Sequence, residues 1–144
     1  MTRFASAAAA ILLAATPALA QDKAPVAVIV TSGDAQVQLM SMVLTMQSAR
    51  QGAATRVLLC GPAGDMALRD APETATAGQP PRDMSPQGLM QTIMGETETT
   101  VEVCAIYLPG KGLEPSALID GVTVADPAEI GAAIVDPGTK FVSF

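Results

Sequence analysis

The side chains of this chain that could carry nucleophilic chemistry are its two cysteines, Cys60 and Cys104. The sequence contains no histidine, which excludes a Ser-His-Asp triad, a Cys-His dyad and a histidine metal site. Both cysteines lie in apolar, strand-like runs, "ATRVLLC" and "TVEVCAIYL", and each run is followed closely by glycine and proline. Nucleophilic chemistry must therefore use one of these thiols, or a hydroxyl that another group activates.

The residues that follow Cys104 could increase its reactivity. A cysteine reacts as the thiolate, and a free thiol titrates near a pH of about 8.5. Gly110 and Gly112 belong to a turn in which backbone N–H groups could converge on an anion, and Lys111 between them adds a positive charge. This arrangement predicts a stabilised Cys104 thiolate, or a persulfide carried on it, with Lys111 as its catalytic neighbour. A buried structural cysteine is the alternative interpretation.

The first 20 residues have the pattern of a secretory signal peptide. Arg3 supplies the positive charge, and the apolar run Ala7–Ala15 is shorter than the roughly 18–20 residues that span a bilayer. Pro17 and then Ala18-Leu19-Ala20 provide a break and a cleavage site. We expect cleavage after Ala20 and a periplasmic mature chain, residues 21–144, without a membrane span. An uncleaved membrane anchor is the alternative.

The charge of the mature chain restricts its partners. The whole sequence carries 8 basic and 14 acidic side chains, and loss of Arg3 with the signal peptide leaves 7 basic ones and a formal charge of −7. Such a surface repels phosphate backbones, so nucleic acid is not an expected partner. The roughly 124 remaining residues are enough for one compact domain with its own core.

Strand-like and helix-like segments alternate along residues 21–144. The predicted strands are Val26–Val30, "ATRVLLC", "TVEVCAIYL", Gly121–Val124 and "TKFVSF". The predicted helices are 35–50 after an Asp34 cap, 66–69, a segment from Ser85-Pro86 to about Gly95, 115–119, and a segment from Asp126-Pro127 to about Ile134. This alternation predicts a single α/β domain with a mostly parallel five-stranded sheet and helices on both faces, flavodoxin-like or Rossmann-like.

Two further predictions concern packing and binding. The apolar arc of the first helix is wide, so we expect that helix to be deeply packed. The segment Asp70–Pro86, rich in proline, threonine and alanine, is long for a structureless loop and is typical of a lid, a binding segment or a disordered stretch.

In open α/β sheets, ligands bind beyond the carboxyl ends of the strands. Three loops fall at such ends, 31–34, 60–65 and 104–113, and they would bring both thiols to one crevice if their strands are neighbours. The residues that we expect to line this crevice are Ser32, Gly33, Asp34, Gly61, Gly64, Tyr107, Gly110 and Gly112. Tyr107 could instead cover the core, and Asp34 and Asp65 are also read as helix caps.

The sequence resembles the DsrE/DsrF-like (TusD-like) sulfur-relay family. The segment "GETETTVEVCAIYLPGKGLEPSALIDGVTVADPAEI" is similar to the C-terminal half of that family, with Cys104, Lys111, Gly112, Leu113 and Gly121-Val122 matching its arrangement in order. The opening "VAVIVTSGDAQVQLMSMVLTMQSARQGAATRVLL" resembles the first strand, helix and second strand of the family. The resemblance covers nearly the whole mature chain.

This resemblance implies a DsrE-like α/β domain over 21–144, commonly a homo-oligomer, in which Cys104 accepts sulfur as a persulfide and hands it on. The implied partners are sulfur donor and acceptor proteins or small thiols, and neither a cofactor nor a metal is expected. The chain departs from the family in its export signal and in Cys60, which lies outside the matched pattern.

Cys60 leaves two alternatives open. In an oxidising compartment it could form a permanent disulfide with Cys104, which would end a carrier role and leave a non-catalytic binding or assembly domain. It could instead resolve a Cys104 of low pKa, so that the two thiols form a redox couple. Bridging requires Cα atoms within roughly 7 Å, which the sequence does not establish.

A methionine-rich composition raises a third class of function, a Cu(I)-binding protein, since thioethers are soft ligands. The methionines concerned are Met40, Met42, Met46, Met84, Met90 and Met94. Methionines at helical spacing are more typical of core packing.

Overall fold

The computed structural model describes residues 23–144; the predicted signal peptide lies outside these residues. The strands are β1 Lys23–Val30, β2 Ala53–Leu59, β3 Thr100–Val103, β4 Thr123–Val124 and β5 Lys140–Ser143. The helices are α1 Ala35–Arg50, α2 Glu73–Thr76, α3 Pro86–Glu96, α4 Tyr107–Lys111 and α5 Pro127–Val135, with 3₁₀ helices at Gly61–Ala67 and Pro115–Ala117. No helix in the described part of the chain combines the length and the apolar character needed to cross a membrane.

The five strands form one parallel sheet in the order β4-β3-β2-β1-β5. In its centre Val28 pairs with Val57 of β2 on one side and with Val142 of β5 on the other, and Val57 pairs with Val101 of β3. Such a sheet forms because β-branched residues favour extended backbone and because each parallel pair is joined by a crossover segment. The predicted single-domain α/β fold with a five-stranded parallel sheet is confirmed.

The core lies between one face of the sheet and the helices α1 and α3, which pack against each other. Val57 and Leu59 of β2 are fully buried on this side. On the opposite face, Arg56 donates hydrogen bonds from Nε and Nη2 to both carboxylate oxygens of Glu102, and from Nη2 to Glu129 of α5 at 3.1 Å. The two faces of the sheet therefore differ: one packs apolar side chains, and the other pairs charges beneath α5.

Helix α1 has the predicted bounds, but part of its apolar arc is exposed, contrary to the expectation of deep packing. Asp34 caps it by accepting hydrogen bonds from the backbone N–H groups of the second and third helical residues, Gln36 and Val37. The residues that it buries include Gln38, Ser41 and Thr45, whereas Met40 and Leu44 are about half exposed, at 51% and 46%. The two buried hydroxyls donate to carbonyl groups within the helix, which satisfies them without an external partner.

The bounds of other elements also differ from the sequence predictions. The third strand ends at Val103 rather than continuing to Leu108, and the residues that follow form a turn and the short helix α4. The 3₁₀ helix Gly61–Ala67 covers most of the predicted loop 60–65. Between Asp70 and Pro86 the chain is ordered into α2 and a small antiparallel bridge. The Ser85 cap before α3 and the Asp126 cap before α5 are confirmed.

Candidate functional site

The two cysteines lie directly after neighbouring strands, and the structure joins them in a disulfide. Leu59, the last residue of β2, pairs with Val103, the last residue of β3. The residues that follow them, Cys60 and Cys104, are therefore adjacent. The Cys104 N–H continues this ladder by donating to the Leu59 carbonyl at 2.9 Å. The Cα atoms of Cys60 and Cys104 are 5.1 Å apart, within the usual range for a disulfide. The parallel sheet thus places both sulfur atoms at its carboxyl edge.

A second set of contacts joins the same two loops, and we call it the Asp65 clasp. The Asp65 Oδ1 atom accepts hydrogen bonds from the Tyr107 hydroxyl at 2.6 Å and from Lys111 Nζ at 2.5 Å. Asp65 belongs to the 3₁₀ helix that follows Cys60, whereas Tyr107 and Lys111 begin and end α4, which follows Cys104. The loops carrying the two cysteines are therefore held together by charge-assisted hydrogen bonds as well as by the disulfide.

Tyr107 is the buried member of the clasp, with only 5% of its surface exposed. Burial raises the pKa of its hydroxyl well above the ordinary value, and the hydrogen bond to Asp65 adds to this effect. The ring packs directly over Gly64, where a Cβ atom would overlap it. Tyr107 therefore covers the core, which is one of the two roles that the sequence allowed for it. The close approach of its ring requires glycine at position 64.

The structure assigns other partners to the groups expected around a Cys104 anion. Lys111 donates to Asp65, and its charge is therefore partly offset. The Gly110 N–H donates to the Ile106 carbonyl, and the Gly112 N–H donates to the Pro109 carbonyl. Gly112 has a φ of 64° and ends α4 in the left-handed conformation. The expectation that these two amides converge on sulfur is wrong, because the segment is a helical turn and uses the amides internally.

The loop after β1 lies beside the Cys60 loop. A Cβ atom at Gly33 would lie 3.0 Å from the Pro62 side chain, so glycine allows these two loops to approach closely. Ser32 Oγ accepts a hydrogen bond from the Asp34 N–H, and Asp34 itself caps α1. Gly61, with a φ of 53°, lies near the backbone of Thr31. The Ser32–Asp34 loop is thus next to the Cys60 loop, although its polar side chains serve local backbone contacts.

The surface beside Cys104 is open and apolar. A groove of about 440 Å³ is lined by Ala105, Leu108, Pro109 and Leu113, among others. Ile106, two residues after Cys104, is 82% exposed. Cys104 and Cys60 are both half-buried. The groove begins at Ala105, the residue after Cys104, while Cys104 itself also packs against the core.

Sequence reasoning did not identify the role of Asp65. The residue was read as a helix cap, but its carboxylate spans the two cysteine loops instead. No local pattern could have shown this, since its partners lie 42 and 46 residues away along the chain. The exposure of Ile106 was also missed, because it lies within an apolar run that reads as a strand.

The methionines mostly pack in the core. Met42, Met46 and Met90 are buried, and Met84 and Met94 pack against the core, whereas Met40 is half exposed. This favours the core-packing interpretation over a thioether metal site. Within residues 23–144, no group of three or more His, Cys, Asp or Glu side chains is placed to hold a metal ion.

Known structures provide a comparison for the fold. No protein-family model matches the chain, and no curated protein sequence matches it. The crystal structure of the ychN protein from E. coli is similar, with a TM-score of 0.63 and 21% identity over 83% of this chain and 99% of that one. The structure of MTH1491, a protein of unknown function from Methanobacterium thermoautotrophicum, has a TM-score of 0.58 and 15% identity over 85% of this chain and 100% of that one. At these identities the likeness shows the fold alone: this chain has the α/β fold of these two proteins.

Proposed function

We propose that this chain is an exported DsrE-like protein that binds or relays sulfur through a persulfide on Cys104. The observation that carries the proposal is the Cys60–Cys104 disulfide at the carboxyl edge of the sheet, where ligands of this fold class bind. Both cysteines are half-buried and a groove lies next to Cys104, which supports access of thiols to the bond; its reduction would generate a nucleophile at this position.

The proposed reaction begins from the reduced protein. The Cys104 thiolate attacks the outer sulfur of a sulfane donor and the donor sulfur–sulfur bond breaks; a persulfide donor leaves as its thiolate, and thiosulfate leaves as sulfite. The product on this chain is the Cys104 persulfide. An acceptor thiolate then attacks the outer sulfur, takes it as its own persulfide, and restores the Cys104 thiolate.

Cys60 allows a second reaction of the Cys104 persulfide. Its thiolate can attack the inner sulfur of the Cys104 persulfide, so that the disulfide forms and hydrosulfide leaves. The disulfide in the structure is then the oxidised resting form, and a dithiol must reduce it by two electrons before the next cycle. We assign the carrier role to Cys104 because the apolar groove and the exposed Ile106 lie on its side of the pair.

The partners that we propose are sulfur donor and acceptor proteins or small thiols, acting in the periplasm as the N-terminal pattern indicates. A partner protein would contact Ile106 and the groove beside it. We also propose self-association, supported by exposed apolar side chains around the edge strand β5, namely Leu44, Phe141 and Val142. An edge strand carries unpaired backbone groups and is a natural site of contact between chains.

Mass spectrometry tests the carrier proposal. The mature protein is reduced, freed of reductant, treated with thiosulfate or a persulfide donor, and digested for peptide mapping. We expect a Cys60→Ser variant to gain the mass of one sulfur atom on Cys104, and a Cys104→Ser variant to gain none there. The wild type should convert the adduct into the disulfide and release sulfide. Absence of an adduct in the reduced Cys60→Ser variant, with its fold intact, contradicts the proposal.

The disulfide also supports a second function, a binding or assembly domain in which the bond is a permanent cross-link. Under this alternative the bond resists thiols while the protein stays folded and opens only on unfolding. Incubation of the native protein with a dithiol, followed by alkylation of the released thiols, separates the two cases. Rapid release from the folded state favours the carrier, and release only in urea favours the cross-link.

A further inference from the structure

A second cavity lies away from the cysteines and takes no part in the proposed sulfur chemistry. It has a volume of about 450 Å³ and opens between α1, α3 and the loop Gln79–Met84. Helix α1 starts at the carboxyl edge of the sheet and ends at Arg50, close to the start of β2 at the opposite edge. The cavity is lined by α1 residues from Leu39 to Arg50, so it extends toward the edge of the sheet opposite the disulfide.

The interior of this cavity is apolar. Met46 of α1 and Leu89 of α3 are buried at its base, and Leu39, Val43 and Met84 line it while packing against the core. Its volume falls within the roughly 300–1,000 Å³ of small-molecule sites, which combine apolar walls with a few polar groups that orient the ligand.

Two arginines lie at the mouth of the cavity, Arg50 and Arg82. Among the described residues, Arg82 is the only arginine without a carboxylate in ion-pair distance. Arg50 has one such contact, to Glu96 at 3.4 Å, in which both side chains are more than half exposed, so it contributes little. The two guanidinium groups are therefore available to an anion, in a chain whose formal charge is −6.

The loop that carries Arg82 is closed by hydrogen bonds between its own two ends. The Gln79 N–H donates to the Met84 carbonyl at 2.8 Å, and the Met84 N–H donates back at 3.3 Å, which closes the loop. Asp83, the acid next to Arg82, directs its carboxylate toward Gly78, the residue before the loop. The Asp70–Pro86 segment, which the sequence marked as a lid or binding segment, thus forms one wall of the cavity and places a cation at its mouth.

We propose that this cavity binds a small amphipathic monocarboxylate, with its apolar chain among the Met46, Val43 and Leu89 side chains and its carboxylate on Arg82 and Arg50. A guanidinium group is planar and can donate two parallel hydrogen bonds to a carboxylate. An ammonium group lacks this matched geometry. The apolar base excludes a ligand that is polar along its whole length, because burying unpaired polar groups is costly.

Titration of the mature protein with decanoate, kept below its micellar concentration, tests this proposal by calorimetry and by amide NMR shifts. We expect binding, with shifts centred on α1 and on the loop Gln79–Met84. Arg82→Gln should weaken it about tenfold, because a charge-assisted hydrogen bond is lost. The matched control Arg69→Gln, which removes an exposed arginine paired with Asp120, should leave the affinity unchanged. Decanol, with the same chain and no charge, should bind about tenfold more weakly than decanoate.

Several results would overturn the proposal: no binding of decanoate, equal affinity for decanoate and decanol, or an unchanged affinity in Arg82→Gln. Shifts centred on Cys104 and the groove beside it would place the ligand elsewhere and contradict the assignment. A Cys60→Ser/Cys104→Ser variant should retain decanoate binding, so failure of the sulfur proposal and failure of this one are separable.

Discussion

The Asp65 carboxylate accepts a hydrogen bond from the Tyr107 hydroxyl at 2.6 Å, and this contact spans the same two loops that the Cys60–Cys104 disulfide joins. A noncovalent contact that holds two cysteine loops together also holds the reduced thiols near each other. It thereby favours closure of the disulfide, and by thermodynamic linkage the disulfide favours the contact equally.

Replacement of Asp65 should make the disulfide easier to reduce. Asp65→Asn removes the charge that pairs with Lys111, and we expect a loss of about 1 kcal/mol of loop–loop interaction, since both side chains are partly exposed. The reduction potential should become less negative by about 20 mV. Equilibration with glutathione buffers measures it. Asp120→Asn removes a negative charge in an exposed ion pair and should shift the potential by far less; equal shifts in the two variants would contradict the role of the clasp.

The disulfide itself should stabilise the fold. It closes a loop over a sequence separation of 44 residues, for which the chain-entropy model gives about 4 kcal/mol, and measured values are typically about 2–4 kcal/mol. Urea unfolding with and without a dithiol should show a loss of this size in the wild type. The same reductant should have no effect on the Cys60→Ser/Cys104→Ser variant. An unchanged wild-type midpoint, with both thiols shown to be free, would be inconsistent with this bond.

Tyr107 should make stability fall at alkaline pH. Its folded-state pKa is raised, so the unfolded chain loses the phenol proton first. The stabilisation is complete below the unfolded pKa of about 10 and is lost progressively as the pH rises above it. Because Tyr107 is the only tyrosine and tryptophan is absent, tyrosinate absorbance reports it directly. Folded protein should titrate at a higher pH than protein in urea. Tyr107→Phe should remove this part of the alkaline loss, whereas a folded midpoint at the ordinary value would contradict the burial.

Gly64 should not tolerate a side chain. Gly64→Ala would place a Cβ atom into the buried Tyr107 ring, and the displacement should cost roughly 1–3 kcal/mol of unfolding free energy. Gly95→Ala is the matched control: this glycine lies in α3, is exposed, and has open space at its Cβ position. That change should instead stabilise by about 0.5–1 kcal/mol, because alanine favours helix. Similar effects of the two substitutions in urea unfolding would count against the packing of Tyr107 on Gly64.

The fold could be predicted from the sequence to a large extent because its signals are local. Asp34, Ser85 and Asp126 each precede a helix and cap it as expected, and the β-branched runs form the parallel sheet. The end of the third strand could not be predicted. Tyr107 and Leu108 are buried residues of the short helix α4, so they continue the apolar run of the strand. A short buried helix cannot be distinguished from a strand by hydrophobicity alone.

The sequence placed the two cysteines near each other but left their disulfide open, and it missed the noncovalent contacts of the site. Neighbouring parallel strands bring their carboxyl ends together, so the meeting of Cys60 and Cys104 follows from topology. The choice of Asp65 as the partner of Lys111 depends on the path of two loops in space, which no spacing in the sequence encodes. Lys111 consequently helps to hold the two cysteine loops together, and it does not pair directly with a sulfur anion.

The central claim is that Cys104, once reduced, is an accessible thiolate in the folded protein, and alkylation by iodoacetamide tests it most directly. The Cys60→Ser variant provides a single thiol, and its labelling rate is followed against pH in native buffer and in urea. We predict labelling of the folded protein, at a rate that rises with pH as the thiolate forms. Labelling that occurs only in urea would contradict the account.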